Sequence, residues 1–127
     1  MRVLVADDDR VISHLLCAVL REAGHQPVPA FDAMQTMMFA MRAPQPDVIL
    51  LDINMPGGTG VEALRKLKAS AKTMLIPVVV LSGSLDPAMP GVMLELGADE
   101  FLSKPPQLPE VIAALERVAG GGIPTLR

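Results

Sequence analysis

The stretch Val48-Ile49-Leu50-Leu51-Asp52, running on into Ile53-Asn54-Met55-Pro56-Gly57-Gly58, constrains this chain most. Four apolar residues lead without a break into one aspartate, and a Pro-Gly-Gly turn follows. A short apolar run bounded by turn signals reads as a strand buried on both faces. Such strands lie at the centre of parallel sheets covered by helices, and ligands bind beyond the strands' carboxyl ends. Asp52 stands at that end. It is expected to be solvent-reachable, held on a rigid element and able to accept a metal ion or a phosphoryl group.

The rest of the chain repeats the pattern. Arg2 to Ala6 is a short apolar strand ending in Asp7-Asp8-Asp9. Asp9 suits a helix cap. Val11, Ile12, Leu15, Leu16, Val19, Leu20 and Ala23 then recur at helical spacing, and Gly24 suits the helix end. Gln26 to Ala30 reads as a second strand. Pro27 and Pro29 delete N–H donors on one side only, which fits an edge strand with its blank side outward. Asp32 is placed to cap a second helix, which stops before Pro44 and Pro46. Its stripe of Met34, Met37, Met38 and Met41 reads as flexible core filler.

Beyond the central strand, Gly57 to Gly60 reads as a loop with Thr59 a possible cap. Val61, Leu64 and Leu67 mark a third helix, whose Glu62, Arg65, Lys66 and Lys68 read as a solvated face. Ile76 to Leu81 is a second buried-type strand, ending at Ser82-Gly83-Ser84. Between Leu85 and Gly97, Asp86-Pro87 suits a helix start, but Pro90-Gly91 one turn later predicts a short or distorted helix, best supported from about Val92 to Leu96. Glu100 to Ser103 is a strand before Lys104-Pro105-Pro106. Leu108, Val111, Ile112, Leu115 and Val118 mark the last helix, which Gly120-Gly121-Gly122 ends. Five strand–helix repeats predict an α/β fold: a doubly wound, five-stranded parallel sheet with right-handed crossovers and helices on both faces. Residues 1–119 are expected to form the domain and 120–127 a Gly-rich tail or the start of a linker.

Composition narrows the function. The chain has 127 residues, half of them apolar, with a net charge of −3 and no basic run. One domain with a real core is expected, and no nucleic-acid surface. With three Phe and no Trp or Tyr, a base-stacking platform or a flavin site is poorly supplied. No apolar run approaches the roughly 20 residues of a membrane span, and Cys17 is the one cysteine. A cytoplasmic protein in a reducing compartment is expected, with Cys17 inert on the apolar side of its helix. His14 and His25 are isolated and read as surface or partly buried residues.

Four strands end in polar residues: Asp7-Asp8, Asp52, Ser82 and Lys104. In a parallel sheet those ends share one edge. Carboxylates crowded there repel, and one tends to protonate unless a cation sits among them. Oxygen ligands favour Mg²⁺, Mn²⁺ or Ca²⁺, and Mg²⁺ keeps open positions for a phosphate. A carboxylate can attack a phosphoryl group and become an acyl phosphate. A metal and Lys104 would neutralise the phosphoryl oxygens.

These residues resemble the response-regulator receiver domain of two-component signalling, from about Arg2 to Val118. The resemblance rests on Asp7-Asp8, on Asp52 44 residues after Asp8, on Ser82 30 after Asp52, and on Lys104 22 after Ser82 with Pro105 behind it. It implies the strand order 2-1-3-4-5 and a phosphoprotein that is not a conventional enzyme, though it catalyses its own phosphorylation and dephosphorylation. Asp52 would be the phosphoacceptor. Asp8, Asp52 and the backbone carbonyl of Asn54 would bind Mg²⁺, with Asp7 acting through water. Lys104 would contact the phosphoryl group, and Ser82 and Phe101 would form the switch. Gly83 fits the small residue expected after the switch hydroxyl. Asn54 and Ser84 are expected to tune the phosphoryl lifetime. A histidine kinase or histidine phosphotransfer protein would be the donor, and the face of the fourth helix, fifth strand and fifth helix would meet an effector.

Phe101 departs from the commonest pattern because its ring has no hydroxyl to bond. The Pro90-Gly91 break is the second departure. Together they motivate an alternative, a receiver-like module that binds partners independently of phosphorylation. A Mg²⁺-dependent hydrolase of the haloacid-dehalogenase type would need a second acid two residues after the nucleophile, where this chain has Asn54.

Overall fold

The computed structural model of the chain describes residues 1–55, 60–84 and 86–120. Strands β1 (Arg2–Ala6), β2 (Gln26–Ala30), β3 (Val48–Asp52), β4 (Val78–Ser82) and β5 (Glu100–Ser103) pair in parallel in the order β2-β1-β3-β4-β5. Between and after them run α1 (Arg10–Glu22), α2 (Ala33–Met41), α3 (Gly60–Ala69), α4 (Met89–Glu95) and α5 (Leu108–Ala119). This is the expected doubly wound α/β sheet. The Gly57–Thr59 turn with its possible cap, and residues 121–127, lie outside the described residues.

Side chains alternate between the faces of a strand, so each central strand feeds two cores. Val3, Val5, Val48, Leu50, Val79 and Leu81 pack under α1 and α5, against Leu16, Leu20, Val111 and Leu115. Leu4, Ala6, Ile49, Leu51, Val78 and Val80 pack under α2, α3 and α4, against Ala40, Leu64, Leu67 and Met93. Every residue of β3 and β4 is buried, which is why those strands read as unbroken apolar runs. Among the described residues β2 pairs with β1 alone, and Pro27 and Pro29 stand opposite Val3 and Val5. The edge position predicted from the two prolines is the one found.

The caps form as expected. The Asp9 carboxylate accepts from the Val11 and Ile12 N–H groups, and Asp32 accepts from that of Gln35. Gly24, with φ of +89°, follows α1 in the left-handed region.

Four expectations about surfaces and helices need correction. On α1, Val11 and Leu15 are exposed (78% and 49%), because the face that meets the sheet is Ser13, Leu16, Cys17 and Leu20. On α2 the methionine stripe is not core filler. Met34, Met38 and Met41 are exposed at 74%, 51% and 41%, and only Met37 joins the core. Thr36 and Ala40 take the buried face instead, and the Thr36 hydroxyl donates to the Asp32 carbonyl. On α3, Lys68 leaves the solvated face: its ammonium donates to the Ile76 carbonyl at 2.9 Å and lies 3.8 Å from Asp99. Finally, α4 is short, as expected, with seven residues, but it is already helical at Met89. Pro90 falls in its first turn, where a missing N–H costs no intrahelical bond.

Gly60 opens α3 where no side chain fits. A Cβ there would sit 2.3 Å from the Ile53 Cα and 2.6 Å from the Ile53 carbonyl oxygen, directly after Asp52. Gly91 faces open space within α4. Gly60→Ala is therefore expected to destabilise the fold by about 1–3 kcal/mol by overpacking. Gly91→Ala is expected to stabilise it by about 0.5–1 kcal/mol. Urea unfolding of both variants beside wild type checks the opposite signs.

Candidate functional site

Strand register assembles the site. Ala6 pairs with Leu51, so one step further along the two strands Asp7 comes beside Asp52. Asp52 pairs with Leu81, and Ser82 pairs with Ser103, so Ser82 and then Lys104 lie just beyond. The Lys104 N–H donates to the Ser82 carbonyl at 2.9 Å and holds that end of β5 against β4. Asp7, Asp8 and Asp52 each bring a carboxylate oxygen within 4.8 Å of the others. Lys104 Nζ lies 3.0 Å from Asp52 Oδ1.

Alternation divides these residues between the faces. Asp52 continues Val48 and Leu50, and Lys104 continues Leu102, all on the α1–α5 side. This lets the lysine reach across the end of β4 to the aspartate. Ser82 continues Val78 and Val80, and Phe101 pairs with Val80, on the α2–α4 side. Phe101 is half-buried against that second core.

Asp52 is not open to solvent as expected. It is 1% exposed, as is Asp7, whereas Asp8 is exposed. Its strand is covered on both faces, and both Lys104 and the Asn54 N–H, at 3.1 Å, engage Oδ1. Asp7 Oδ1 accepts from the Asp9 N–H at 2.9 Å. Asp7 Oδ2 is buried and has no hydrogen-bond donor among the described residues. Burial is the main cause that pushes the Asp7 carboxyl from 3.8 up to about 6. The Asp9 N–H and the Lys104 charge oppose that rise, and the nearby Asp52 adds to it.

The remaining expected residues are near but differently engaged. Ser82 is fully buried, and its hydroxyl accepts the Ser84 N–H at 3.0 Å. Ser84 Oγ accepts the Asp86 N–H at 3.2 Å, so its side chain shapes the loop after β4. Asn54 is exposed and touches Asp52 through its backbone. His14 is exposed on α1, and Cys17 is buried. His25 meets Glu116 at 2.9 Å and the N-terminal amine at 3.2 Å, away from the acidic cluster.

Sequence reasoning missed Gly60, whose close approach to Ile53 sets the path of the chain leaving Asp52. It also missed the exposure of Val11 in the first turn of α1. That turn starts at the same sheet edge as the acidic cluster. The signal was available: a first-turn residue overhangs the sheet edge and has little to pack against.

Hard oxygen donors, a buried oxygen without a donor and one ammonium can hold a divalent cation and an added anion together. The profile of the response regulator receiver domain matches residues 3–116. The phosphate regulon transcriptional regulatory protein PhoB of Escherichia coli (strain K12) is 38% identical over 119 residues, 92% of this chain and 51% of PhoB. The DNA-binding response regulator MtrA of Mycobacterium tuberculosis (strain CDC 1551 / Oshkosh) is 35% identical over 112 residues, 88% of this chain and 47% of MtrA. The chain thus spans about half the length of these curated relatives. A solved structure of the receiver domain of the sensor histidine kinase PA1611 from Pseudomonas aeruginosa PAO1 has a magnesium ion coordinated in the active site cleft. It is 27% identical, with a TM-score of 0.84, and the match covers 94% of this chain and 97% of that one. With this sheet order, this acidic edge and these relatives, the chain belongs to the response regulator receiver domain family.

Proposed function

We propose that Asp52 takes a phosphoryl group from a phosphohistidine of a histidine kinase or histidine phosphotransfer protein. The observation that carries this is the convergence of Asp7, Asp8 and Asp52 within 4.8 Å, with Lys104 3.0 Å from Asp52. An Asp52 carboxylate oxygen attacks phosphorus. The bond from phosphorus to the donor's imidazole nitrogen breaks, and its electron pair stays on that nitrogen. The product is an acyl phosphate. The Lys104 ammonium, already beside Oδ1, is in reach of the added phosphoryl oxygens and offsets their charge. The exposed Val11 and Leu15 give an apolar approach on α1 for the donor.

The residues present fit a bound Mg²⁺. Asp8, Asp52 and the Asn54 carbonyl would hold it, with Asp7 through water, and the donor-less Asp7 Oδ2 supports such a need. When bound, the cation supplies positive charge against the phosphoryl oxygens.

The added group carries close to two negative charges. The Ser82 hydroxyl accepts from Ser84 and keeps its own proton to donate to a phosphoryl oxygen. Phe101, half-buried on the same face of the sheet, repacks as the loop after β4 moves. The α4–β5–α5 face then meets an effector. Asn54 and Ser84 tune the lifetime of the acyl phosphate. Residues 1–119 form the receiver unit, with 120–127 a Gly-rich tail or the start of a linker. The protein acts in the cytoplasm. A phosphorylation-independent module is the weaker reading, since α4 is helical from Met89 and Pro90 in its first turn costs it no intrahelical bond.

Incubation with acetyl phosphate and Mg²⁺ is expected to add one phosphate by intact mass, and Asp52→Asn to add none. Removal of divalent metal by EDTA is expected to abolish the addition. Modification that persists in the variant would reassign the site.

A pH dependence follows from Asp7. With a folded value of about 6 against an ordinary 3.8, the metal-free folded state keeps a proton that the unfolded chain has lost. Between roughly pH 4 and 6 its contribution lowers stability as pH rises, and the loss is complete above 6. Chemical denaturation of the metal-free protein at several pH values is expected to show this fall. It is expected to be flattened in Asp7→Asn, and in wild type by saturating Mg²⁺.

A further inference from the structure

Helix α2 turns a stripe of apolar side chains to the outside. Met34, Met38 and Met41 are 74%, 51% and 41% exposed, and they repeat at intervals of four and three residues. That is the spacing at which one helix presents a continuous seam to another. The helix Ala33–Met41 carries no charged residue, so nothing on it resists burial of the seam. Beside the seam, a groove of about 380 Å³ runs between α2 and α3, floored by Met37 and Ala63. Methionine's unbranched, polarisable side chain suits such irregular contacts.

The charges around this face are ordered by polarity. In a parallel sheet both helices start at the site edge and run the same way. Asp32 caps the start of α2, and Glu62 lies in the first turn of α3. Arg42 follows the end of α2, its guanidinium 4.8 Å over the Phe39 ring, and Lys66 lies in the last turn of α3. Arg42 and Lys66 have no salt-bridge partner among the described residues. Charge along the face therefore runs from Asp32 at the start of α2 to Arg42 at its end, with Glu62 and Lys66 in the same order one turn apart on α3.

We propose that the α2–α3 face pairs with the same face of a second copy of this chain, across a two-fold axis near Met38 that sets the α2 helices antiparallel. A two-fold axis brings each end of the face against the opposite end of its partner, so Arg42 and Lys66 approach the copy's acidic end. The methionine seam meets itself, and each seam lies along the other copy's groove. A partner of a single charge sign would match one end of the face and clash with the other, whereas a second copy matches both. An isologous contact of this kind closes as a dimer and does not propagate. Three methionines form the centre of a small interface, and contacts well below the roughly 800 Å² per partner of a stable one are weak.

Sedimentation equilibrium from about 10 μM to 1 mM tests this. Wild type is expected to move from monomer toward dimer across that range, and Met38→Leu to follow it. Met38→Glu, which sets two carboxylates together at the axis, is expected to stay monomeric throughout. Lys66→Glu is expected to weaken association about 3- to 10-fold. Both changes are at exposed positions away from the acidic cluster, so an unchanged thermal midpoint and unchanged phosphate uptake from acetyl phosphate check that the fold and site are intact. A wild type that stays monomeric at 1 mM overturns the proposal. So does a Met38→Glu variant that associates like wild type.

Discussion

Two carboxylates are forced together where almost no water reaches them, and the site follows from that conflict. Asp7 and Asp52 end adjacent central strands, and each is 1% exposed. Burial of like charges without solvent is unfavourable. The chain relieves it in part with the Lys104 ammonium and with backbone N–H groups from Asp9 and Asn54. It leaves Asp7 Oδ2 without a donor among the described residues, and burial pushes the Asp7 carboxyl up. A site left short of positive charge favours a cation, and through it an anion. Two apolar cores, one on each face of the sheet, hold the strands in place against this local repulsion.

The same sheet divides the strand-end residues between its two faces. Asp52 and Lys104 continue the residues that pack under α1 and α5, while Ser82 and Phe101 continue those packed under α2 to α4. Under the proposed phosphorylation, a change in charge at Asp52 would reach the second face through the loop after β4, where Ser82 accepts the Ser84 N–H. The Phe101 ring offers no hydroxyl, so only packing could couple it to that loop.

Surface chemistry departs furthest from the helical patterns. The apolar stripes of α1 and α2 are wider than the strips of sheet they cover. On α1 the excess is Val11 and Leu15, beside the acidic edge. On α2 small buried residues, Thr36 and Ala40, bring the helix close to the sheet and turn three methionines outward. Such residues read as core by periodicity alone, because periodicity says which side chains share a face and not how far that face extends past its support.

The sequence by itself determined the element order, the edge position of β2 and the residues at the strand ends. Each of these is local: apolar runs of four or five residues, prolines that delete donors, caps at Asp9 and Asp32. It also determined that Asp7, Asp8, Asp52, Ser82 and Lys104 share an edge, since parallel strands have no other arrangement. The tertiary structure alone decided that Asp52 is closed to solvent, that Lys104 reaches across β4 to it, and that Ser82 is held by Ser84. It also decided that α4 begins at Met89 and that the methionines of α2 face outward. Each of those outcomes depends on register and on which helix covers which strip of sheet, and both are set by contacts between residues far apart in the chain.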